Sequence, residues 1–178
     1  MRQFYLDDYH ALTAVNIDAV VYGFRASLPA LRRAGGGSIV AGSSLAALTG
    51  FRAFPLYTMT RAAVVGLVRS LAPTWAEENI TAGAVCPAFT DTPLLRPMRG
   101  RLQEAGFPLL EPGTVADVVI HQLTAGGPGA IWGIQSGKPP FLYRHPGVPR
   151  PAGLAPGMLP PDLTGLDGGR AETPEARS

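Results

Sequence analysis

Three side chains in the first half of the 178-residue chain have types and a spacing suited to proton transfer. Ser44 follows a short β-branched run at residues 38–42, which predicts a buried strand. Tyr57 begins a predicted helix, and Arg61 lies one turn later on the same face. A positive charge beside a phenol favours the phenolate form, and a phenol tuned in this way can exchange a proton with an alcohol or a carbonyl. The segment therefore predicts an acid–base site at the tip of a strand.

This segment resembles the active-site region of the short-chain dehydrogenases/reductases, in which a serine precedes a Tyr-x-x-x-Lys motif by thirteen residues. Ser44 and Tyr57 have this separation, and Arg61 takes the place of the lysine. Residues 14–18, Ala-Val-Asn-Ile-Asp, are similar to the family's helix that carries a catalytic asparagine. Residues 85–93, Val-Cys-Pro-Ala-Phe-Thr-Asp-Thr-Pro, are similar to its nicotinamide-binding loop. The resemblance runs from about residue 6 to residue 149, which is most of the chain.

The resemblance implies hydride transfer between a nicotinamide cofactor, NAD or NADP, and a small alcohol or carbonyl substrate. In that reaction Ser44 would hold the substrate oxygen, and Tyr57 would be the general acid and base. Arg61 would be the charge that tunes the phenol, and Asn16 would support a proton relay. The residues implied to contact the cofactor are Tyr57, Arg61, Pro87, Thr90 and Thr92.

Arg61 and Asn16 each have an alternative interpretation. An arginine can favour a neighbouring phenolate, but it cannot release a proton at any working pH, so it could not take part in a proton relay. Fourteen of the fifteen basic residues are arginine, and drift toward arginine without retained catalysis is therefore an alternative explanation of Arg61. For Asn16 the alternative is an ordinary packed or surface amide.

Hydrophobic periodicity predicts the elements that position these side chains. The predicted helices cover about residues 9–33, 57–77 and 112–123, and the predicted strands cover residues 38–42, 80–87 and 129–135. Pro29 should kink or end the first helix. The glycines at 35–37 follow a helix and precede a strand, so they predict a helix cap, whereas a phosphate-binding loop has the opposite order. Alternating strands and helices predict an α/β fold with three parallel strands and flanking helices.

The family's cofactor site begins with a Gly-x-x-x-Gly-x-Gly turn between a strand and a helix, and nothing before Asn16 resembles it. The corresponding half of a Rossmann fold takes roughly 80–100 residues. We therefore expect a partial Rossmann-like fold that lacks the N-terminal dinucleotide-binding half, and weak binding of NAD or NADP by this chain alone. Two further departures from the family pattern are Ala88, in place of the loop glycine, and Gly83, in place of a strand asparagine.

Composition and charge exclude several functional classes. The net charge of +2, without a basic run, argues against nucleic-acid binding. The sequence predicts neither a secretory signal nor a membrane span. A single cysteine, Cys86, predicts a packed thiol and fits a reducing cytoplasm. The three histidines are far apart and predict no metal site.

Residues 1–145 predict one domain, and residues 146–178, with seven prolines and six glycines, predict a disordered tail. The strand at 38–42 would be an open edge, and the two long helices are apolar on more than one side. Both features predict a homo-oligomer or pairing with a related subunit. Three functions thus stay open: an oxidoreductase impaired in isolation, a non-catalytic module that pairs with full-length relatives through the two long helices, and a decayed fragment without activity.

Overall fold

A computed structural model describes residues 6–147, 149 and 152–153. The chain divides into two compact units, Met1–Arg144 and His145–Ser178. The first unit contains the sheet and the helices described below. Most of the second unit, and with it the predicted disordered tail at 146–178, lies outside the described residues.

A four-stranded sheet forms the centre of the first unit, with the spatial order β1-β2-β3-β4. The strands are β1 (Gly37–Gly42), β2 (Ile80–Pro87), β3 (Ile131–Ile134) and β4 (Phe141–Leu142). The first three are parallel, which confirms the predicted α/β fold. The prediction of only three strands is wrong, because β4 pairs antiparallel with β3. A strand of two residues is too short to show a periodic pattern.

Eight helical elements, counted over the described residues, surround the sheet. They are α1 (Leu6–Thr13), a π-helical segment (Ala14–Asp18), α2 (Ala19–Arg33), α3 (Ala46–Thr49), α4 (Pro55–Glu77), a 3-10 turn (Pro93–Leu95), α5 (Arg96–Glu104) and α6 (Pro112–Ala125). The first three form one continuous helical run, and they correspond to the first predicted helix. The periodic pattern predicted neither the π-helical segment nor α3 and α5.

The end of α2 confirms one prediction and limits another. Pro29 does not end the helix, which continues to Arg33, since Pro29 is exposed and removes a single hydrogen bond near the helix end. The predicted glycine cap is present, because Gly35 has φ of 77° and the Gly36 N–H donates to the Leu31 carbonyl at 3.0 Å. A side chain at Gly36 would place its Cβ 2.5 Å from the Asn79 carbonyl oxygen, so only glycine fits there.

Alternate residues of β2 face two hydrophobic clusters on opposite sides of the sheet. Ala82, Ala84 and Cys86 pack with α2 and α4, in a cluster that includes Phe24, Val64, Val68 and Trp75. Val85 packs in the other cluster, with Leu110, Val118 and Ile134. Pairing on both edges and packing on both faces bury residues 82–86 of β2 completely.

The prediction that residues 38–42 form a buried strand is only partly right. β1 forms there, but Ala41 is its only buried residue. The reason is position, because β1 is the outer strand of the sheet within the described residues and has a partner on one edge only. The two apolar runs in β1 and β2 thus look alike in sequence, and their burial differs because of their neighbours.

Candidate active site

Two serines follow β1 at the carboxyl end of the sheet, and the chain there stays paired with β2. The Ser43 N–H donates to the Val85 carbonyl at 2.7 Å, and the Leu45 N–H donates to the Pro87 carbonyl at 3.1 Å. Ser43 is buried, and its hydroxyl donates to the Arg61 carbonyl at 2.9 Å. Backbone pairing and this bond therefore hold the strand tip in a fixed position beside α4.

The second serine, Ser44, is half-buried and is the predicted substrate-binding residue. Its hydroxyl oxygen accepts a hydrogen bond from the Ala46 N–H at 3.2 Å, at the start of α3. This contact uses an acceptor lone pair of the hydroxyl and not its proton. The geometry thus orients Ser44 while its O–H stays suited to donating to a carbonyl oxygen.

Tyr57 lies in the first turn of α4 and is half-buried. The Arg61 guanidinium lies over the Tyr57 ring, with Cζ 5.2 Å from the ring centroid. This is a cation–π contact, and it confirms that the phenol and the cation share one face of the helix. Arg61 also donates from Nη1 to the Gly42 carbonyl at 3.3 Å, so the cation links α4 to the end of β1.

One nitrogen of the Arg61 guanidinium lacks a hydrogen-bond partner within the described residues. Arg61 Nε is shielded from solvent and has no hydrogen-bond partner among the described residues. A buried donor without a partner costs about 1–3 kcal/mol, so such groups are uncommon and call for an explanation. An oxygen of a bound molecule next to the Tyr57–Arg61 pair would satisfy it.

Asn16 is buried, at 4% exposure, within the π-helical segment. Its Nδ2 donates to the Thr60 hydroxyl at 3.0 Å, and that hydroxyl donates to the Tyr57 carbonyl at 2.8 Å. Asn16 therefore contacts the helix that carries Tyr57 through Thr60, which is fully buried. The alternative of a surface amide is wrong, and a π-helical turn of this kind is frequent at functional sites.

The predicted cofactor loop follows β2 and contains Pro87, Thr90 and Thr92. Pro87 ends β2 and accepts the bond from Leu45 described above. The Thr90 hydroxyl donates to the Ala88 carbonyl at 3.1 Å, a bond within the loop itself. Thr92 is half-buried at the start of the 3-10 turn, and its side chain makes no capping bond there. The structure thus places this loop beside the serines, at the same end of the sheet.

Cys86 lies in β2 behind the serines and is completely buried, as the packed-thiol prediction requires. Burial raises the pKa of the Cys86 thiol, and hydrogen bonds with the Ser43 side chain and the Ser44 backbone oppose that rise. A thiol with a raised pKa stays neutral and is a poor nucleophile.

Sequence reasoning missed Ser43 and Thr60, which position the site by bonding to the backbone of α4. A buried hydroxyl whose partners come from distant parts of the chain gives no periodic or motif signal. Thr60 did carry one weak sign, since it lies between the two predicted functional residues of one helix face, Tyr57 and Arg61. The Ser43 position was visible as one of two adjacent serines, and only the contacts separate their roles.

Other parts of the described chain do not add to this site. A cavity of about 420 Å³ lies beside β3 and the residues after α6, with His121, Trp132 and Tyr143 in its lining, and the predicted site residues do not form it. Within residues 6–147, 149 and 152–153, no cluster of three or more His, Cys, Asp or Glu is arranged to hold a metal. None of the helices in this part of the chain is long and apolar enough to cross a membrane.

Comparison with known proteins places this geometry in context. The chain is 36% identical over 101 residues to a tropinone reductase homolog of Arabidopsis thaliana, covering 57% of this chain and 38% of that protein. It is 32% identical over 132 residues to the 2-(R)-hydroxypropyl-CoM dehydrogenase of Xanthobacter autotrophicus, covering 71% of this chain and 53% of that protein. The chain thus spans about half, or less, of the length of these curated relatives.

The fold has solved counterparts as well. The structure of a 3-ketoacyl-(acyl-carrier-protein) reductase from Brucella melitensis, complexed with NADH, matches with a TM-score of 0.67 and 22% identity. That match covers 75% of this chain and 59% of the reductase, and at this identity it supports the fold alone. A sequence model described as short chain dehydrogenase matches residues 1–103, which is more than half of the chain. The chain belongs to the short-chain dehydrogenase family.

Proposed function

We propose that this chain carries the proton-transfer and substrate-binding part of an NAD(P)-dependent oxidoreductase that interconverts an alcohol and a ketone. The observation that supports this most is the Arg61 guanidinium over the Tyr57 ring, next to the serines that follow β1. The names of the two matched curated relatives, a reductase homolog and a dehydrogenase, agree with it. Because the chain spans only part of those relatives, the activity of the whole protein is part of the proposal.

The proton chemistry follows from the side chains present. Ser44 donates a hydrogen bond to the substrate carbonyl oxygen, and Tyr57 transfers its phenolic proton to the same oxygen when the carbonyl carbon receives a hydride, which gives the alcohol. Arg61 stabilises the phenolate that this transfer leaves. In the oxidative direction the phenolate takes the proton back from the alcohol. Since Arg61 keeps its own protons, Tyr57 is reprotonated from solvent, which reaches this half-buried residue.

The described residues fit one part of a nicotinamide cofactor. Arg61 Nε, shielded and without a partner, suits a ribose hydroxyl, and Tyr57, Pro87, Thr90 and Thr92 are the other residues we propose to contact the nicotinamide end. Such a cofactor, NAD or NADP, supplies or accepts the hydride when it is bound. Within the described residues no glycine-rich turn connects a strand to a helix to hold the pyrophosphate, so we propose that the chain alone binds the cofactor weakly.

Steady-state oxidation of NADH and NADPH with a panel of ketones tests the proposal. We expect slow, ketone-dependent turnover that falls about 100-fold or more in Tyr57→Phe, because the variant removes the proton donor and keeps the ring under Arg61. Arg61→Lys serves as the matched variant, and we expect it to be faster than the unmodified chain, since lysine is smaller and can relay a proton. Turnover that is unchanged in Tyr57→Phe would overturn the proposal.

A second candidate function, a non-catalytic module that pairs with another copy or with a full-length relative, is favoured by a different observation. Apolar side chains are exposed on the helices that pack beside the site: Val15 is 71% exposed, Tyr22 64% and Met59 43%. Exposed area of this kind is typical of interfaces. Light scattering during gel filtration tests it. We expect association that Val15→Glu weakens and that Leu94→Glu, at an apolar position on another element that is 83% exposed, leaves unchanged.

A further inference from the structure

Four phenylalanine rings form a continuous row at the carboxyl end of the sheet, which we call the phenylalanine ridge: Phe54, Phe51, Phe89 and Phe107. Successive ring centroids are 5.3, 5.7 and 5.4 Å apart, and the rings meet at tilted or edge-to-face angles. The first two rings come from the segment between α3 and α4, and Phe89 follows β2. Phe107 follows α5, so the ridge brings together the segment that leads into α4, the loop after β2 and the segment after α5.

Backbone bonds fix the ridge relative to Tyr57. The Phe51 N–H donates to the Thr58 hydroxyl at 3.1 Å, and Thr58 directly follows Tyr57 in α4. The Phe89 carbonyl accepts from the Leu110 N–H at 2.8 Å, and the Phe107 N–H donates to the Leu102 carbonyl at 2.8 Å. The backbone of three of the four phenylalanines is thus hydrogen-bonded, one of these bonds reaches α4, and the ridge begins three residues before the proposed proton donor.

The ridge is not covered within the described part of the chain. Phe54 is 45% exposed and Phe107 is 39% exposed, while Phe51 and Phe89 are half-buried. Aromatic rings grouped on the surface are typical of a binding surface, whereas apolar residues scattered singly are ordinary. The ring edges and faces also carry opposite partial charges, so such a row favours another aromatic ring over an aliphatic group of the same area.

We propose that the phenylalanine ridge binds the aryl group of the substrate, which makes aryl ketones and aryl carbinols the substrate class of this protein. The inference rests on the proposed function, because it places the carbonyl at Tyr57 and the aryl ring on the adjoining ridge. Phe54 directly precedes α4 and is three residues before Tyr57, so the ridge begins in the segment that leads into the proposed proton donor. A small aliphatic ketone reaches Tyr57 and leaves the ridge uncovered.

Ligand-observed ¹⁹F NMR on the full chain tests binding without requiring turnover. The probes are 4′-fluoroacetophenone and fluoroacetone, each titrated with the unmodified chain and with Phe51→Leu, Phe107→Leu, Phe107→Tyr and Phe141→Leu. Phe141 is the matched control, because it is 42% exposed and lies on β4, outside the ridge. Thermal melts followed by circular dichroism check that each variant is folded.

We expect 4′-fluoroacetophenone to bind more tightly than fluoroacetone, and each of the two ridge leucine variants to weaken its binding about three- to tenfold. Phe107→Tyr, which keeps the ring, and Phe141→Leu should bind as the unmodified chain does. Equal binding of the two ketones, or equal loss in Phe141→Leu, would overturn the inference. A third outcome would also overturn it: the chain binds no aryl ketone, associates with itself, and loses that association in Phe107→Leu. A second copy of the chain would then be what covers the ridge.

Failure of the two proposals can be told apart. Aryl binding without any ketone-dependent oxidation of NADH or NADPH would contradict the proposed function and keep the ridge as an aryl site. Turnover that depends on Tyr57 but shows no preference for aryl ketones, with leucine variants as active as the unmodified chain, would contradict the ridge and keep the proposed function.

Discussion

Two polar clusters, one around Gln122 and one around Arg61, lie beside different parts of the sheet. They differ in whether each polar side-chain atom has a hydrogen-bond partner. Gln122 of α6 is fully buried, its Nε2 donates to the Gly127 carbonyl at 3.1 Å, and its Oε1 accepts from Trp132 Nε1 at 2.8 Å. At the carboxyl end of β1, Arg61 Nε is shielded and has no partner in the described chain. A cluster in which each polar side-chain atom has a partner stabilises the fold, whereas one with an unpartnered nitrogen is suited to receive a ligand.

The Gln122 cluster also explains one departure from the family pattern. A side chain at Gly83 would place its Cβ 2.4 Å from Gln122 Nε2, so the amide of α6 fills the space above this strand glycine. The absence of an asparagine at Gly83 is therefore matched by a buried amide from another element. The Tyr57 site shows no such filling, because Arg61 Nε has no partner in the described chain and Tyr57 is only half-buried.

Among the predicted effects on stability, we expect the largest from disrupting the Gln122 cluster. Gln122→Leu keeps the size of the side chain but leaves Trp132 Nε1 and the Gly127 carbonyl without their partner, which should destabilise the fold by about 2–4 kcal/mol. Urea unfolding followed by circular dichroism measures the change in the free energy of unfolding. Gln103→Leu, the same substitution at an exposed position of α5, is the control and should change little. A loss of stability no larger in Gln122→Leu than in Gln103→Leu would remove the distinction between the two clusters.

A smaller effect is expected at Thr60, which connects Asn16 to the backbone of Tyr57. Thr60→Val is close in shape and removes the hydroxyl, so it should cost about 1–2 kcal/mol of stability by leaving the Asn16 amide unpaired. Thr60→Ser keeps the hydroxyl and should retain the bond. The same unfolding measurement compares the three proteins, and equal stability of the valine and serine variants would show that Asn16 does not depend on this contact.

The smallest effect concerns the pH dependence of stability and comes from Cys86. Because burial raises its pKa in the folded chain, the unfolded chain loses the thiol proton first as the pH rises above the ordinary value of 9.0. The folded state then binds more protons than the unfolded state, so stability falls with rising pH. Below that pH both states keep the proton and the contribution vanishes. Thermal melts between neutral pH and pH 10 should show a steeper decline for the unmodified chain than for Cys86→Ala, and parallel declines would contradict the assignment.

The sequence predicted the helix and strand order well, because each long element carries an apolar pattern of its own. It also placed Ser44, Tyr57 and Arg61 at one end of the sheet, since local spacing and the ends of parallel strands determine that position. It did not predict the Asn16–Thr60 bond, which connects residues 44 positions apart, nor the π-helical segment around Asn16. The sequence also predicted that β1 is buried, whereas only Ala41 of this strand is. The burial of a strand depends on the strands beside it, which its own residues do not reveal.

The phenylalanine ridge also shows which features the sequence predicts and which only the structure reveals. Each ring was visible in the sequence, at Phe51, Phe54, Phe89 and Phe107, but the four positions span more than fifty residues and show no common period. Their contacts arise only because the segments after β1 and β2 leave the sheet at the same end. Side-chain clusters that depend on topology in this way require the structure.

The central claim is that Tyr57 donates the proton in a reduction of a ketone by a nicotinamide cofactor, and transfer of an isotope tests it most directly. The full chain and Tyr57→Phe are incubated with NADH or NADPH that carries deuterium at both C4 positions and with aryl, alicyclic and aliphatic ketones, and the alcohols are analysed by mass spectrometry. We predict that the unmodified chain forms an alcohol with one deuterium at the carbinol carbon, and that Tyr57→Phe forms it about 100-fold more slowly or not at all. Equal amounts of labelled alcohol from both proteins, or none from the folded, unmodified chain with either cofactor, would contradict the claim.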